Sequence, residues 1–89
     1  LRQLFIVTAG LSGETGELVE HFKKHVRDGT PIDRKKVRLE FGDVLHYLTR
    51  LANMYDFDMR EIIEANMDKL DKRRAERGST DKIGHEEVR

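Results

Sequence analysis

Apolar residues recur every three to four positions through most of the chain, and the strongest run lies between Val37 and Tyr55. Val37, Phe41, Val44, Leu45, Leu48, Leu51, Ala52 and Tyr55 keep helical spacing over about five turns of 3.6 residues, which predicts a long amphipathic helix. Leu18, Val19, Phe22 and Val26 form a second stripe. Met59, Ile62, Ile63 and Leu70 form a third, on which Asn66 is the polar member. Leu1 to Ala9 is apolar without a start signal, and reads equally as a short strand or as the last turns of a truncated helix.

Between these stripes the capping residues set the expected boundaries. Ser12, bracketed by Gly10 and Gly13, predicts a cap for a helix that begins at Gly13 or Glu14 and fades at Asp28-Gly29. Thr30-Pro31-Ile32-Asp33 predicts the next start, with threonine as cap, proline at the first helical position and an acid at the third. Asp58 and Glu61 read as a capping box opening a last helix that Gly78 ends. Residues 1–78 are expected to form one domain, and Ser79 to Arg89 a polar tail or an arm onto a neighbouring subunit.

Composition narrows the function classes. With 89 residues, 37% of them hydrophobic and 38% charged, the chain has material for only a modest core, and oligomerisation would relieve that. Seventeen basic and seventeen acidic residues cancel, so nothing draws the chain as a whole to nucleic acid or to an anionic membrane. The absence of cysteine excludes disulfides and thiolate metal sites. No apolar run approaches the roughly 18 residues of a membrane span, and the cytoplasm is the default expectation. An anionic ligand must therefore be caught locally.

Acidic spacing supplies the candidate chemistry. Glu14 with Glu17, and Glu40 with Asp43, are each three apart, and such pairs on a helix have Cβ atoms about 5–6 Å from one another. One pair alone is an ordinary solvated face, and Glu17 with Glu20 repeats the spacing. Two pairs on packed helices would gather four carboxylates, which a hard divalent ion such as magnesium neutralises best. Asp43 and His46 have the spacing of a di-iron carboxylate-histidine pair, but the second such pair is missing. Lys69 and Arg73 lie three and seven residues beyond Asn66, on one face that serves either as solvated charge or as a ligand contact. Tyr47, one turn beyond Asp43, reads as a base-stacking ring or as an interface residue.

Gly10-Leu11-Ser12-Gly13-Glu14-Thr15-Gly16-Glu17-Leu18-Val19-Glu20, Glu40-Phe41-Gly42-Asp43-Val44-Leu45-His46-Tyr47, and Asn66-Met67-Asp68-Lys69-Leu70 with Arg73 together resemble the MazG-type nucleotide pyrophosphohydrolases of the all-α NTP pyrophosphatase superfamily. The resemblance spans about Leu4 to Gly78. It implies hydrolysis of an NTP or dNTP between the α and β phosphates, giving a monophosphate and pyrophosphate as nucleotide-pool housecleaning. Glu14, Glu17, Glu40 and Asp43 match the family's magnesium-holding catalytic acids, with Mn2+ as a possible substitute. Lys69 would pair with a phosphate, Asn66 orient the sugar or phosphate, Arg73 add a contact at the rim and Tyr47 touch base or sugar.

The implied fold is all-α, with short helices pairing across a homodimer or homotetramer into four-helix-bundle layers. Relatives usually carry a full helix before the Gly-Leu-x-Gly-Glu turn, where only about nine residues stand here. The alternative function is a catalytically inactive helical dimer that serves as a binding or regulatory module. Nothing in these residues chooses among bases.

Overall fold

The computed structural model describes residues 1–78 and contains three helices, α1 (Arg2–Asp28), α2 (Arg34–Met54) and α3 (Met59–Arg77). Among the described residues there is no strand, so the segment from Arg2 to Ala9 is helical. No helix is long and apolar enough to cross a membrane. The expected tail, Ser79 to Arg89, lies outside the described residues.

α1 corrects the expected break at Gly10–Gly13. The helix runs through both glycines without interruption, and Ser12 is an exposed residue inside it, not a cap. A helical glycine costs only about 1 kcal/mol relative to alanine, and that is small beside the packing of α1 on α2. Val7, the most deeply buried apolar side chain, lies in the segment before the glycines and holds it to the same rod. Thr8 and Thr15 satisfy their hydroxyls on the preceding turn, donating to Leu4 O at 2.9 Å and Leu11 O at 2.7 Å.

The stop falls where expected. Gly29 takes the left-handed conformation at φ 71°, and its N–H donates to His25 O at 3.1 Å. The following start does not fall at Thr30. The carbonyl of Thr30 is engaged by His25 Nδ1 at 2.7 Å, and Pro31 restricts Thr30 to extended backbone. Asp33 caps α2 instead, its carboxylate accepting the Lys36 N–H at 3.2 Å. Pro31 thus belongs to the connection and not to the first helical turn.

The connection over residues 29–33 is short enough to return the chain directly, and α1 and α2 pack as an antiparallel helical hairpin. Its buried apolar side chains are Val7, Val37 and Ala52. The α2 stripe proves wider than one interface. Val37, Val44, Tyr47, Leu51 and Ala52 are buried or half-buried, whereas Phe41 and Leu45 remain 50% and 55% exposed. Val19, Phe22 and Val26 of α1 are likewise exposed, so each helix carries apolar surface that the hairpin leaves uncovered.

The chain divides into two compact units, the hairpin Leu1–Phe57 and the unit that begins at Asp58. Within the second, Asp58 caps α3 as expected, accepting the Arg60 N–H at 3.0 Å. Gly78 ends it with φ 64° and an N–H donated to Arg74 O at 3.0 Å. The apolar residues Ile62, Ile63, Met67 and Leu70 of α3 are all exposed.

Candidate functional site

Antiparallel packing sets Glu14 of α1 opposite Glu40 and Asp43 of α2. Each of these three residues offers a carboxylate oxygen, and the three oxygens lie within 4.8 Å of one another. Glu14 and Glu40 are half-buried and Asp43 is exposed, so the cluster opens to solvent on one side. The Oε2 atoms of Glu14 and Glu40 are buried without a hydrogen-bond partner. Two ionised carboxylates with buried, donorless oxygens are destabilising unless a proton or a cation joins them.

The proton is held tightly. Burial, followed by the negative charges of Glu17 and Asp43 and by the neighbouring Glu40 carboxylate, pushes Glu14 up from 4.5 to about 7. A carboxyl raised on folding stabilises the fold fully below its unfolded value, near 4.5, and that contribution is lost as pH rises through about 7. Without divalent ions, the melting temperature is therefore expected to fall between about pH 4.5 and 7 and then to level off. Magnesium should raise it at pH 8 and have little effect at pH 5, because the ion competes with the Glu14 proton. Thermal melts with and without magnesium across that range check this; equal magnesium shifts at both pH values would defeat it.

Glu17, the remaining expected acid, is exposed and supplies no oxygen to the close trio. It lines an adjoining groove with Glu20, His21, Lys24 and Glu40. His21 is the residue that sequence reasoning passed over as a site member. Its Nε2 lies 3.9 Å from Glu40 Oε1. The available signal was its position four residues beyond Glu17 on the acidic stripe of α1.

Tyr47 packs against Gly10. A Cβ on Gly10 would lie 2.7 Å from Tyr47 Cδ1 and Cζ, so the glycine is what admits the ring. His46 meets that ring edge-on at 5.3 Å, and the Arg50 guanidinium stands 5.9 Å from its centroid. Asn66, Lys69 and Arg73 lie on α3, all exposed, on one face by their spacing.

The family model for the MazG nucleotide pyrophosphohydrolase domain matches residues 5–78. The chain belongs to the MazG family. This match covers both helices of the acidic cluster as well as α3. A similar protein is the Gene 37 protein of Mycobacterium phage L5, 38% identical over 75 residues. That alignment takes in 80% of this MazG chain and 66% of the phage protein, so the chain spans just under two thirds of its relative's length. No solved structure matches. Divalent metals are general in the MazG family, and the donor set fits them: oxygen ligands with buried, unpartnered atoms suit a hard cation.

Proposed function

We propose that this chain is a magnesium-dependent pyrophosphohydrolase that cleaves an NTP or dNTP between the α and β phosphates, releasing a monophosphate and pyrophosphate. The observation that carries the reading is the cross-helix trio of Glu14, Glu40 and Asp43, with its buried, donorless oxygens, inside a MazG domain. Magnesium, when bound, would offset phosphate charge and supply an activated water for in-line attack. Glu14, Glu40 and Asp43 hold the ion, and Glu17 joins them when its side chain turns inward. The raised proton affinity of Glu14 supports this role, since the same crowding of charge that favours a proton favours a cation.

Lys69 pairs with a phosphate, Asn66 orients the sugar or phosphate, and Arg73 contacts the rim, each by charge or amide donors suited to those oxygens. Tyr47 keeps its hydroxyl for the sugar while its ring packs on Gly10. Manganese replaces magnesium at the carboxylates.

The functional unit is a homodimer or homotetramer whose helices pair into four-helix-bundle layers. The support is the uncovered apolar surface of both hairpin helices, including Phe22, Val26, Phe41 and Leu45, against a buried set of Val7, Val37 and Ala52.

The test is pyrophosphate release from a panel of NTPs and dNTPs with and without magnesium. Release that requires magnesium is expected from at least one nucleotide. A folded helical oligomer that releases none from any of them would overturn the enzyme reading in favour of a binding module.

A further inference from the structure

Along α2, three groups able to meet a nucleotide follow the order of a nucleotide's own parts. Asp43 of the acidic trio, Tyr47 and Arg50 succeed one another at spacings of four and three residues, which keeps them on one side of the helix. At about 1.5 Å per residue, Tyr47 stands about 6 Å beyond Asp43 along the axis, and Arg50 about 10 Å beyond it. With the phosphates at the trio and the sugar at the Tyr47 hydroxyl, the next group outward is the base, and it falls at Arg50.

Arg50 is exposed, and its guanidinium lies over the Tyr47 ring, 5.9 Å from the centroid. The ring is itself restrained, since its Cδ1, Cε1 and Cζ edge packs on Gly10 and His46 meets it edge-on. The face that Arg50 covers is thereby closed to a base, so the guanidinium is the group presented there. Among the described residues no carboxylate pairs with Arg50, which leaves its N–H donors to a ligand. A planar fork held against a ring also gives up less freedom on binding than a loose chain does.

We propose that Arg50 selects the base, and that the substrates it selects are guanine nucleotides. The inference rests on the pyrophosphohydrolase reading and narrows it. A guanidinium donates and never accepts, and its parallel N–H groups fit an edge with two adjacent acceptors. O6 and N7 of guanine form such an edge. Adenine sets an amino donor beside N7, cytosine offers an amino donor, and thymine a lone O4 acceptor. A bidentate pair of this kind separates the right base from a wrong one by about tenfold or more.

The test is kcat/KM for pyrophosphate release from the guanine, adenine, hypoxanthine and 7-deazaguanine triphosphates, in ribose and deoxyribose forms. Guanine and hypoxanthine, which share O6 and N7, are expected to exceed adenine by about tenfold or more, and 7-deazaguanine, which lacks N7, to lose most of that advantage. Arg50→Met should bring the guanine value down to the adenine value, with the loss in KM. Arg50→Lys should not restore the preference, because a point charge cannot fork. The preference is a ratio within one preparation, so a partly unfolded variant lowers both rates alike and leaves it unchanged. Absence of a guanine preference in the parent, or a preference that survives in Arg50→Met, overturns the role of Arg50 and leaves the hydrolase standing. Release from none of these nucleotides, nor from the pyrimidine triphosphates, overturns the hydrolase reading and this inference with it.

Discussion

Glu40→Gln is expected to lower magnesium-dependent pyrophosphate release by about 100-fold or more, the size of loss seen when one preorganised electrostatic group is removed from a reacting centre. The substitution keeps side-chain length and shape, so helix packing around the site is preserved. What it removes is the charge in the middle of the acidic trio, on the residue that faces both Glu14 and His21. A second readout separates loss of function from loss of fold. In the absence of divalent ions, Glu40→Gln should melt no lower than the parent at pH 8, because one like charge beside Glu14 has gone. Pyrophosphate release within a few-fold of the parent would remove Glu40 from the mechanism. A much lower melting temperature would point to a structural role instead.

Gly10→Ala is expected to destabilise the hairpin by up to about 2 kcal/mol, from the usual cost of about 1–3 kcal/mol for overpacking a filled contact less the roughly 1 kcal/mol that alanine gains in a helix. The added methyl would press on the middle of the Tyr47 ring, not on the end of a flexible chain. Relief requires either rotation of a half-buried ring that His46 and Arg50 flank or separation of α1 from α2. Separation reaches the site, since Gly10 is one turn before Glu14 and Tyr47 one turn after Asp43. Magnesium affinity should therefore fall together with the melting temperature. In a Tyr47→Ala background the same change should be neutral or stabilising, and a double-mutant cycle measures the coupling. Additive effects of the two substitutions would show that ring and glycine do not restrain each other.

How much of this was legible in the sequence depended on how local the cause was. Glycine at 29 and 78 and aspartate at 58 act on backbone groups within a few residues, and the helix ends fall there. The same reasoning misread Gly10 as a breaker, because its role depends on Tyr47, thirty-seven positions away. Thr30 and Pro31 had the right chemistry for a helix start, but His25 engages the Thr30 carbonyl from the preceding helix and Asp33 caps the next one. The acid spacing located Glu14, Glu40 and Asp43 as a set, since helical periodicity fixes which side each residue takes. It did not separate Glu17 from them, nor show that Oε1 of Glu40 stands beside the His21 imidazole. Those depend on the relative height of two helices, which the sequence pattern of either alone leaves undetermined.

The continuity of α1 has a consequence for how the chain tolerates insertions and deletions. Gly10, Glu14 and His21 are carried on one unbroken helix, so their angular relation is set by residue count, about 100° per residue. Adding or deleting one residue between Gly10 and Glu14 would leave the glycine facing Tyr47 or the carboxylate facing Asp43, but not both. An added four-residue turn comes back to within about 40° and still displaces the acid by about 6 Å along the axis. The connection over residues 29–33 carries no such constraint, and lengthening a surface loop costs little. Length variation among functional relatives should accordingly collect at that connection and spare the helix between Gly10 and His21.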